Sequence, residues 1–358
     1  MTDTRSLPRH VMIMAAGTGG HIFPGLAVAR ALIQDGLKVS WLGTPHGLEN
    51  RIVPEAGIEL NRIEISGLRG RGLFGWLAAP LRVLRAMRQA RAVFKRQRPD
   101  CVLSMGGYVA GPGGLMARWM RIPLVLHEQN AIAGLTNRWL RPFARRVLSG
   151  FPGVLKGAEH CGNPVREDIA GLAHPRKRYF ERQGPLKILI VGGSQGALAF
   201  ASKIPQALAL LPNSKRPRVI HQAGRQLEAT RQAYQSAGVE GEVVEFIDDM
   251  AHAWGETDLA ICRAGALTVA ELAAAGVASL LVPFPAAVDD HQTANARYLA
   301  DASAAWLISQ KALTPETLAE RLEGLNRITL AEMAERARAL ARANATELVA
   351  RTCREVAT

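Results

Sequence analysis

Short runs of apolar residues, each about five positions long, alternate along this chain with longer stretches in which alanine and leucine recur every three or four residues. The first kind of run is the pattern of a buried strand and the second that of a helix with one apolar face. Residues 11–15 form such a run; it ends in Gly17-Thr18-Gly19-Gly20, and helical spacing follows from Pro24 to Ile33. The order strand, glycine turn, helix returns at residues 186–191, with Gly192-Gly193-Ser194-Gln195-Gly196 and then an alanine- and leucine-rich stretch at 197–211. Further strands are predicted at 38–42, 101–104, 124–127 and 146–149, and in the second half at 218–222, 243–246, 259–262 and 279–282. An amphipathic tail is predicted over 315–356. Strands alternating with helices are the signature of parallel α/β units.

The fold expected is therefore α/β, two Rossmann-like doubly wound parallel sheets facing each other across a cleft. At 358 residues and 48% hydrophobic content the chain exceeds what one ordinary core supports. Glycine and proline at Gly162-Asn163-Pro164 interrupt both periodicities, which predicts domains at 1–164 and 165–358, with the last helix a candidate to pack back onto the first domain. No apolar stretch approaches the ~20 residues needed to span a bilayer, and no secretory signal is expected at the start. Cys101, Cys161, Cys262 and Cys353 lie far apart without a CxxC pair, which argues against a disulfide framework or a structural zinc site and fits a reducing cytoplasm.

Charge changes the picture once it is divided along the chain. Residues 1–165 carry 22 Lys+Arg against 9 Asp+Glu, while residues 166–358 carry 22 against 22, so the net charge of +13 sits in the first half. Between Glu64 and Asp100 there is no acidic residue, whereas Arg69, Arg71, Arg82, Arg85, Arg88, Arg91, Lys95, Arg96 and Arg98 accumulate there. Leu73, Phe74, Trp76 and Leu77 precede a helical stripe of Leu81, Leu84, Met87 and Phe94, and Trp119 with Arg118 and Arg121 repeats the theme. Trp139, Arg141, Arg145 and Arg146 extend it. A basic amphipathic face of this kind suits an anionic membrane surface, although Leu84, Met87 and Phe94 also fit a core stripe. No nucleic-acid module accompanies the basic residues, so no nucleic-acid partner is expected.

A glycine turn at the end of a strand lets backbone N–H groups approach a phosphate, and the following helix points its positive end there. Such turns are equally common as plain structural turns. Neither turn has GxGxxG spacing, which weakens a dehydrogenase reading. A third glycine loop, Gly106-Gly107-Tyr108-Val109-Ala110-Gly111-Pro112-Gly113-Gly114, follows the strand at 101–104. Three such loops suit two diphosphate-bearing substrates, one per domain.

Seven segments then occur in order: AAGTGGHIFPG from Ala15, SMGGYVAGPGG from Ser104, HEQNAIAGLTNR from His127, GNPVR from Gly162, GGSQGA from Gly192, RAGALTVAEL from Arg263 and DDHQTANA from Asp289. Together they resemble the MurG family of GT-B-type, inverting N-acetylglucosaminyltransferases, over nearly the full chain. The resemblance implies transfer of GlcNAc from UDP-GlcNAc to the MurNAc 4-hydroxyl of undecaprenyl-pyrophosphoryl-MurNAc-pentapeptide, in peptidoglycan synthesis. It implies a peripheral enzyme on the cytoplasmic face of the bacterial inner membrane. It places Thr18, Gly19, Gly20, Asn130, Arg166, Ser194, Gln195, Ile247, Ala266, Leu267, Thr268, Val269, Ala270, Glu271 and Gln292 on UDP-GlcNAc. Gly17, Gly106, Gly107 and Tyr108 are the candidates for the acceptor diphosphate.

Attack by a sugar hydroxyl on an anomeric carbon needs a base, and departure of UDP needs charge stabilisation. His21, directly after the first glycine turn, is the leading base candidate, and Glu128 is second. His21 also fits a helix-start packing role, Glu128 a role in orienting Asn130 and the loop to Arg138, and Glu271 that of a first-turn helix acid. Asp289 and Asp290 fit helix capping. No DxD pair follows a strand, so no metal site is expected and no cofactor is required, with stimulation by a divalent cation left open. Two positions depart from the family pattern: Ala16, where a glycine is usual, and Ala286, where a polar residue is expected. Rival readings are another GT-B lipid transferase such as a diacylglycerol glycosyltransferase, a sugar-nucleotide epimerase of similar architecture, and a non-catalytic protein binding nucleotide sugar and anionic surfaces.

Overall fold

The computed structural model describes residues 9–66, 79–193 and 197–357. They divide into two compact units, one of residues 1–165 with 344–358 and one of residues 166–343.

The first unit holds a seven-stranded sheet made of β1 (His10–Ala15), β2 (Lys38–Gly43), β3 (Glu59–Arg62), β4 (Cys101–Gly106), β5 (Leu124–Glu128), β6 (Arg146–Ser149) and β7 (Glu159–His160). The strands lie in the order β3-β2-β1-β4-β5-β6-β7, and every neighbouring pair is parallel. β1 and β4 are buried along their whole length, which is why they read as unbroken apolar runs rather than as alternation. Their alternate residues still divide between two cores. Val11, Ile13 and Ala15 meet Ile22, Leu26 and Leu32 of the helix Gly19–Gln34 on one face. Met12 and Met14 meet Ala86, Ala90, Phe94, Met116 and Ala117 of the helices Ala79–Gln97 and Ala110–Trp119 on the other.

The helix Ala345–Val356 closes the first of these cores with Val349, Ala350 and Cys353. Arg354 adds ion pairs to Asp35 and, at 2.7 Å, to Glu347.

The second unit repeats the plan with β8 (Lys187–Val191), β9 (Arg218–Gln222), β10 (Glu242–Val244), β11 (Leu259–Cys262), β12 (Ser279–Leu281) and β13 (Ala305–Leu307), in the order β10-β9-β8-β11-β12-β13 and again all parallel. A buried carboxylate ties its elements together. Asp258 accepts from Arg182 at 2.8 Å, from Arg327 at 3.2 Å and from the Lys187 N–H at 2.8 Å.

Three strands escape the hydrophobic pattern: β3, β7 and β13. All are at or next to a sheet edge, where one face or side needs no continuous apolar cover; β3 reads Glu-Leu-Asn-Arg and β7 is two residues long. The strand predicted at 243–246 is shortened to β10, because the chain turns away at Glu245. The first helix begins at Gly19, five residues before the periodicity starts, and the predicted tail is three helices, Pro315–Glu323, Arg327–Ala339 and Ala345–Val356.

Candidate active site

In each unit the order of strands reverses beside the first strand, between β1 and β4 and between β8 and β11, and the loops leaving the C-terminal ends of such strands enclose the crevice where α/β sheets bind ligands. The glycine turns found in the sequence are those loops.

In the first unit the register slips between Met14 and Ala15, so that Ala15 pairs with Gly106. The slip brings the two loops together. Gly106 and Gly107 have φ of +100° and +82°, and a Cβ on Gly107 would stand 2.4 Å from the Ala16 carbonyl oxygen. Gly107 is glycine because of that approach and its φ, and Gly106 because of its φ and the His21 ring 3.0 Å from where a Cβ would stand. Ala16, by contrast, has an ordinary negative φ and is buried, so alanine costs nothing there. Gly113 and Gly114 lie inside the helix Ala110–Trp119, where added Cβ atoms would strike Met14 at 2.4 Å and Leu140 at 2.6 Å; they are packing glycines. Tyr108 is exposed at the start of this helix.

The first loop is held from behind by Glu49, a fully buried carboxylate. Its Oε2 accepts from the Gly17 N–H at 3.1 Å, and its Oε1 from the Thr44 N–H and hydroxyl at 2.9 and 2.7 Å. The helix that follows has Thr18 as its N-cap, whose side chain makes no capping hydrogen bond, so among the described residues the N–H groups beside Gly19 and Gly20 have no side-chain cap.

His21 stands one turn inside this helix, half-exposed, with its Nδ1 3.1 Å from Gln129 Oε1. Gln129 is buried against His127, and His127 is buried in turn against the Gly162 carbonyl at 2.9 Å. Burial pulls the His127 imidazole down to about 4, so it is neutral at working pH. Glu128 points elsewhere. Its carboxylate, also buried, accepts from the N–H groups of Asn130 and Gly134 at 3.0 Å and from the side-chain amides of Asn137 at 2.8 Å and Asn130 at 3.4 Å. Four donors organise the 130–137 loop around it.

In the second unit, Gly192 and Gly193 follow β8. Ser194 and Gln195 lie outside the described residues. The helix Ala266–Ala275 has Gly265 as its N-cap, which has no side chain to cap it, so among the described residues the N–H groups of Ala266, Leu267 and Thr268 have no side-chain cap. Val269 is fully buried, which leaves Ala270 and Glu271 as the half-exposed residues of the next turn. Burial raises the Glu271 carboxyl to about 7 against the opposing pull of a 3.2 Å hydrogen bond from Trp254 Nε1 and of Arg166, with Asp168 adding repulsion.

Gln292 follows Asp289 and Asp290, both in the left-handed region at φ of +53° and +51°. That turn sets Gln292 Oε1 on the N–H groups of Phe284 at 2.9 Å and Ala264 at 3.3 Å, which leaves its amide N–H groups to face outward. Asp290 makes no capping bond to the helix backbone and accepts from the Thr293 hydroxyl at 2.7 Å instead. Ala286 is exposed. Arg263, behind the loop, donates to the carbonyls of Val282 and Pro283 and stacks on Phe200 and Phe284. Ile247 is half-buried beyond β10 and lines a groove of about 1180 Å³ together with Ile188, Ile220 and Val244.

Of the basic face, Arg69, Arg71, Phe74 and Trp76 lie outside the described residues. Arg85 and Arg88 are exposed, Arg85 in an ion pair with Glu64 at 2.7 Å, but Arg82 is half-buried with its NH1 nitrogen enclosed. The helical stripe divides: Phe94 is core and Met87 packs against it, while Leu81 and Leu84 are 73% and 54% exposed. Trp119 is 69% exposed beneath the Arg91 guanidinium, and Trp139 is 73% exposed. No helix among the described residues is long and apolar enough to cross a membrane.

Sequence reasoning missed Glu49, Gln129 and Trp254, the residues that hold the candidate groups. Gln129 sat inside a quoted segment, and its signal was the amide placed two residues from a histidine at a strand end. Glu49 and Trp254 gave none, since the site groups they hold, Gly17 and Glu271, are 32 and 17 residues away in the chain.

Comparison with known proteins accords with this geometry. The N-terminal domain of glycosyltransferase family 28 matches residues 11–149, and the C-terminal domain of the same family matches residues 187–351. The UDP-N-acetylglucosamine–N-acetylmuramyl-(pentapeptide) pyrophosphoryl-undecaprenol N-acetylglucosamine transferase of Bordetella petrii is 56% identical over 348 residues, covering 97% of this chain and 98% of that protein. The protein of the same name from Nitrosospira multiformis is 55% identical over 350 residues, with the same coverage. The crystal structure of Acinetobacter baumannii MurG superposes with a TM-score of 0.83 at 46% identity, covering 97% of this chain and all of that one. With both of its domains matched in order, the chain belongs to glycosyltransferase family 28 and is an N-acetylglucosamine transferase of the MurG group.

Proposed function

We propose that the protein transfers GlcNAc from UDP-GlcNAc, with inversion, to the MurNAc 4-hydroxyl of undecaprenyl-pyrophosphoryl-MurNAc-pentapeptide. The names of relatives at 55–56% identity support the substrates. The observation that carries the chemistry is the pair of uncapped helix N-termini, each opening from a glycine turn where its sheet reverses order. Each offers backbone donors and a positive dipole end to a diphosphate, and there are two diphosphates to hold.

In this reading the second unit takes the donor. Ala266, Leu267 and Thr268, with Ser194 and Gln195, receive the UDP diphosphate, and Arg166 adds positive charge. Glu271 accepts from the ribose hydroxyls, Gln292 donates its free amide to the GlcNAc ring, and Ile247 borders the uracil. Thr18, Gly19, Gly20 and Asn130 complete the contacts to UDP-GlcNAc, and Gly17, Gly106, Gly107 and Tyr108 meet the acceptor diphosphate. His21 is the base: its ring nitrogen takes the proton of the acceptor hydroxyl while the oxygen attacks the anomeric carbon from the face opposite UDP. The bond to the β-phosphate oxygen breaks, and the negative charge on departing UDP is met by the helix N-termini. Glu128, enclosed by four donors, serves the loop and not the proton transfer. The reading requires no tightly held metal, and titrating a divalent ion into the assay shows whether one stimulates turnover.

The enzyme docks peripherally on the cytoplasmic face of the inner membrane through Trp119, Leu81, Leu84, Arg85 and Arg88, joined by Arg69, Arg71, Phe74 and Trp76. Each basic residue near an anionic leaflet contributes about 1 kcal/mol, so five or six suffice without an anchor.

The test is UDP release from UDP-GlcNAc with a lipid-linked MurNAc-peptide, with diacylglycerol, and with no acceptor. Release that depends on the MurNAc lipid is expected, and His21→Ala lowers it by about 10² to 10⁴. Release driven by diacylglycerol instead, or UDP-GlcNAc consumed without any acceptor, would overturn the assignment.

A further inference from the structure

We infer that Gln129 and His127 form a relay that decides which nitrogen of His21 carries the proton, leaving its Nε2 with the lone pair that a base needs. The inference rests on the reading of His21 as the base.

The direction of the relay is set at its buried end. His127 Nε2 lies 2.9 Å from the Gly162 carbonyl oxygen, which can only accept, so the proton of a neutral His127 is on Nε2. Enclosure keeps that ring neutral, with its imidazole pulled down to about 4. His127 Nδ1 must then accept, and it does so from Gln129 Nε2 at 3.1 Å. The same nitrogen is 3.1 Å from the His127 carbonyl oxygen, a second atom that can only accept. Two acceptors on one side fix the amide: NH₂ toward His127, oxygen toward His21.

Gln129 has no freedom to reverse this. Its side chain is buried, and its own carbonyl takes a hydrogen bond from Asn163 Nδ2 at 3.0 Å, which pins the backbone beneath it. Gln129 Oε1 therefore presents an acceptor to His21 Nδ1 at 3.1 Å, and His21 must donate. A neutral imidazole has one proton, so its Nε2 is bare. Gly106 keeps the ring in this place, since a Cβ there would stand 3.0 Å from both His21 Nδ1 and Cε1.

Free histidine favours the opposite tautomer, with the proton on Nε2, in which the outward nitrogen could not take a proton. Gln129 is a positioning residue that reverses this preference, and His127 sets the orientation of Gln129.

Long-range ¹H–¹⁵N spectra of the resting protein labelled in its histidine rings test the relay without substrate. Assigned against His21→Asn and His127→Asn, wild type should show His21 protonated on Nδ1 and bare on Nε2, and His127 the reverse. In Gln129→Met the His21 proton should move to Nε2, with kcat about tenfold lower, short of the loss from removing the base, and KM for UDP-GlcNAc unchanged. A wild-type spectrum with His21 protonated on Nε2, or a Gln129→Met spectrum with the tautomer unchanged, overturns the relay. Full activity in His21→Ala would instead overturn the base assignment and leave the tautomer result standing.

Discussion

Replacing Glu271 by glutamine should stabilise the free protein above neutral pH while weakening its grip on UDP-GlcNAc. Burial raises the carboxyl from its ordinary 4.5 to about 7, against the pull of Trp254 and Arg166. The native state therefore holds this proton across a pH range in which the unfolded chain has released it. Stability from this group is fully present below pH 4.5 and is lost as pH rises through about 7. At about 1.36 kcal/mol for each tenfold change in proton affinity, the full difference is worth about 3 kcal/mol. Water reaching the half-buried carboxylate reduces this to roughly 2 kcal/mol. Glutamine keeps the shape and the acceptor for Trp254 Nε1 without the charge. Urea unfolding of the two proteins at pH 4 and pH 8 should therefore nearly agree at the lower pH and differ by roughly 2 kcal/mol at the higher, with Glu271→Gln the more stable. With Glu271 on the ribose hydroxyls as proposed, calorimetry should show the reverse order for UDP-GlcNAc, because those hydroxyls would lose a charged acceptor, typically about 1.5–3 kcal/mol. A stability difference independent of pH, or a variant less stable than wild type at pH 8, would refute the argument.

Gly107→Ala should destabilise the first unit by ~3 kcal/mol, because its left-handed φ and the Ala16 carbonyl both oppose a Cβ, whereas Gly153→Ala, at φ +71° with nothing within 4 Å, should cost only about 1 kcal/mol in the same denaturant assay. Sedimentation with anionic vesicles should fall on Trp119→Ser and fall by about tenfold on Arg88→Glu, with the second effect vanishing in high salt. Arg82→Gln should change sedimentation less than Arg88→Gln, since one terminal nitrogen of Arg82 is enclosed.

What the sequence makes legible follows from where each element sits. β1, β4 and β8 carry continuous apolar runs because helices cover both faces of the sheet, and the glycine turns after β1 and β8 announce themselves because φ or close approach excludes other residues. β3, β7 and β13 are obscure because the ends of the sheets relax the apolar requirement. The helical stripe before Gln97 was ambiguous for a physical reason: one periodicity supplies both the buried Phe94 and the exposed Leu81 and Leu84, and only the width of the covering neighbour decides between them. At the site, many of the residues proposed to meet ligand lie in the glycine segments and could be named in advance. Those that hold them could not. Glu49 reaches Gly17 across 32 residues and Trp254 reaches Glu271 across 17, and neither distance leaves a local spacing to read.

Hydrogen-bond supply separates the carboxylates that build this protein from the one poised to bind. Glu49 has three donors, Glu128 four, and Asp258 two guanidinium groups and a backbone N–H; each is buried with its charge met by the fold. Such groups have their acceptor oxygens supplied by the fold and need nothing from a ligand. Among the described residues Glu271 receives a single donor, from Trp254, and the more distant pull of Arg166, and burial outweighs both. An under-supplied carboxylate in a half-buried position stores a demand for donors, and a vicinal diol brings two. Binding would therefore satisfy Glu271 and, by linkage, lower its proton affinity, so that UDP-GlcNAc uptake near neutral pH should release protons into solution. The deficit at Glu271 disfavours the empty protein, and the same deficit favours the complex.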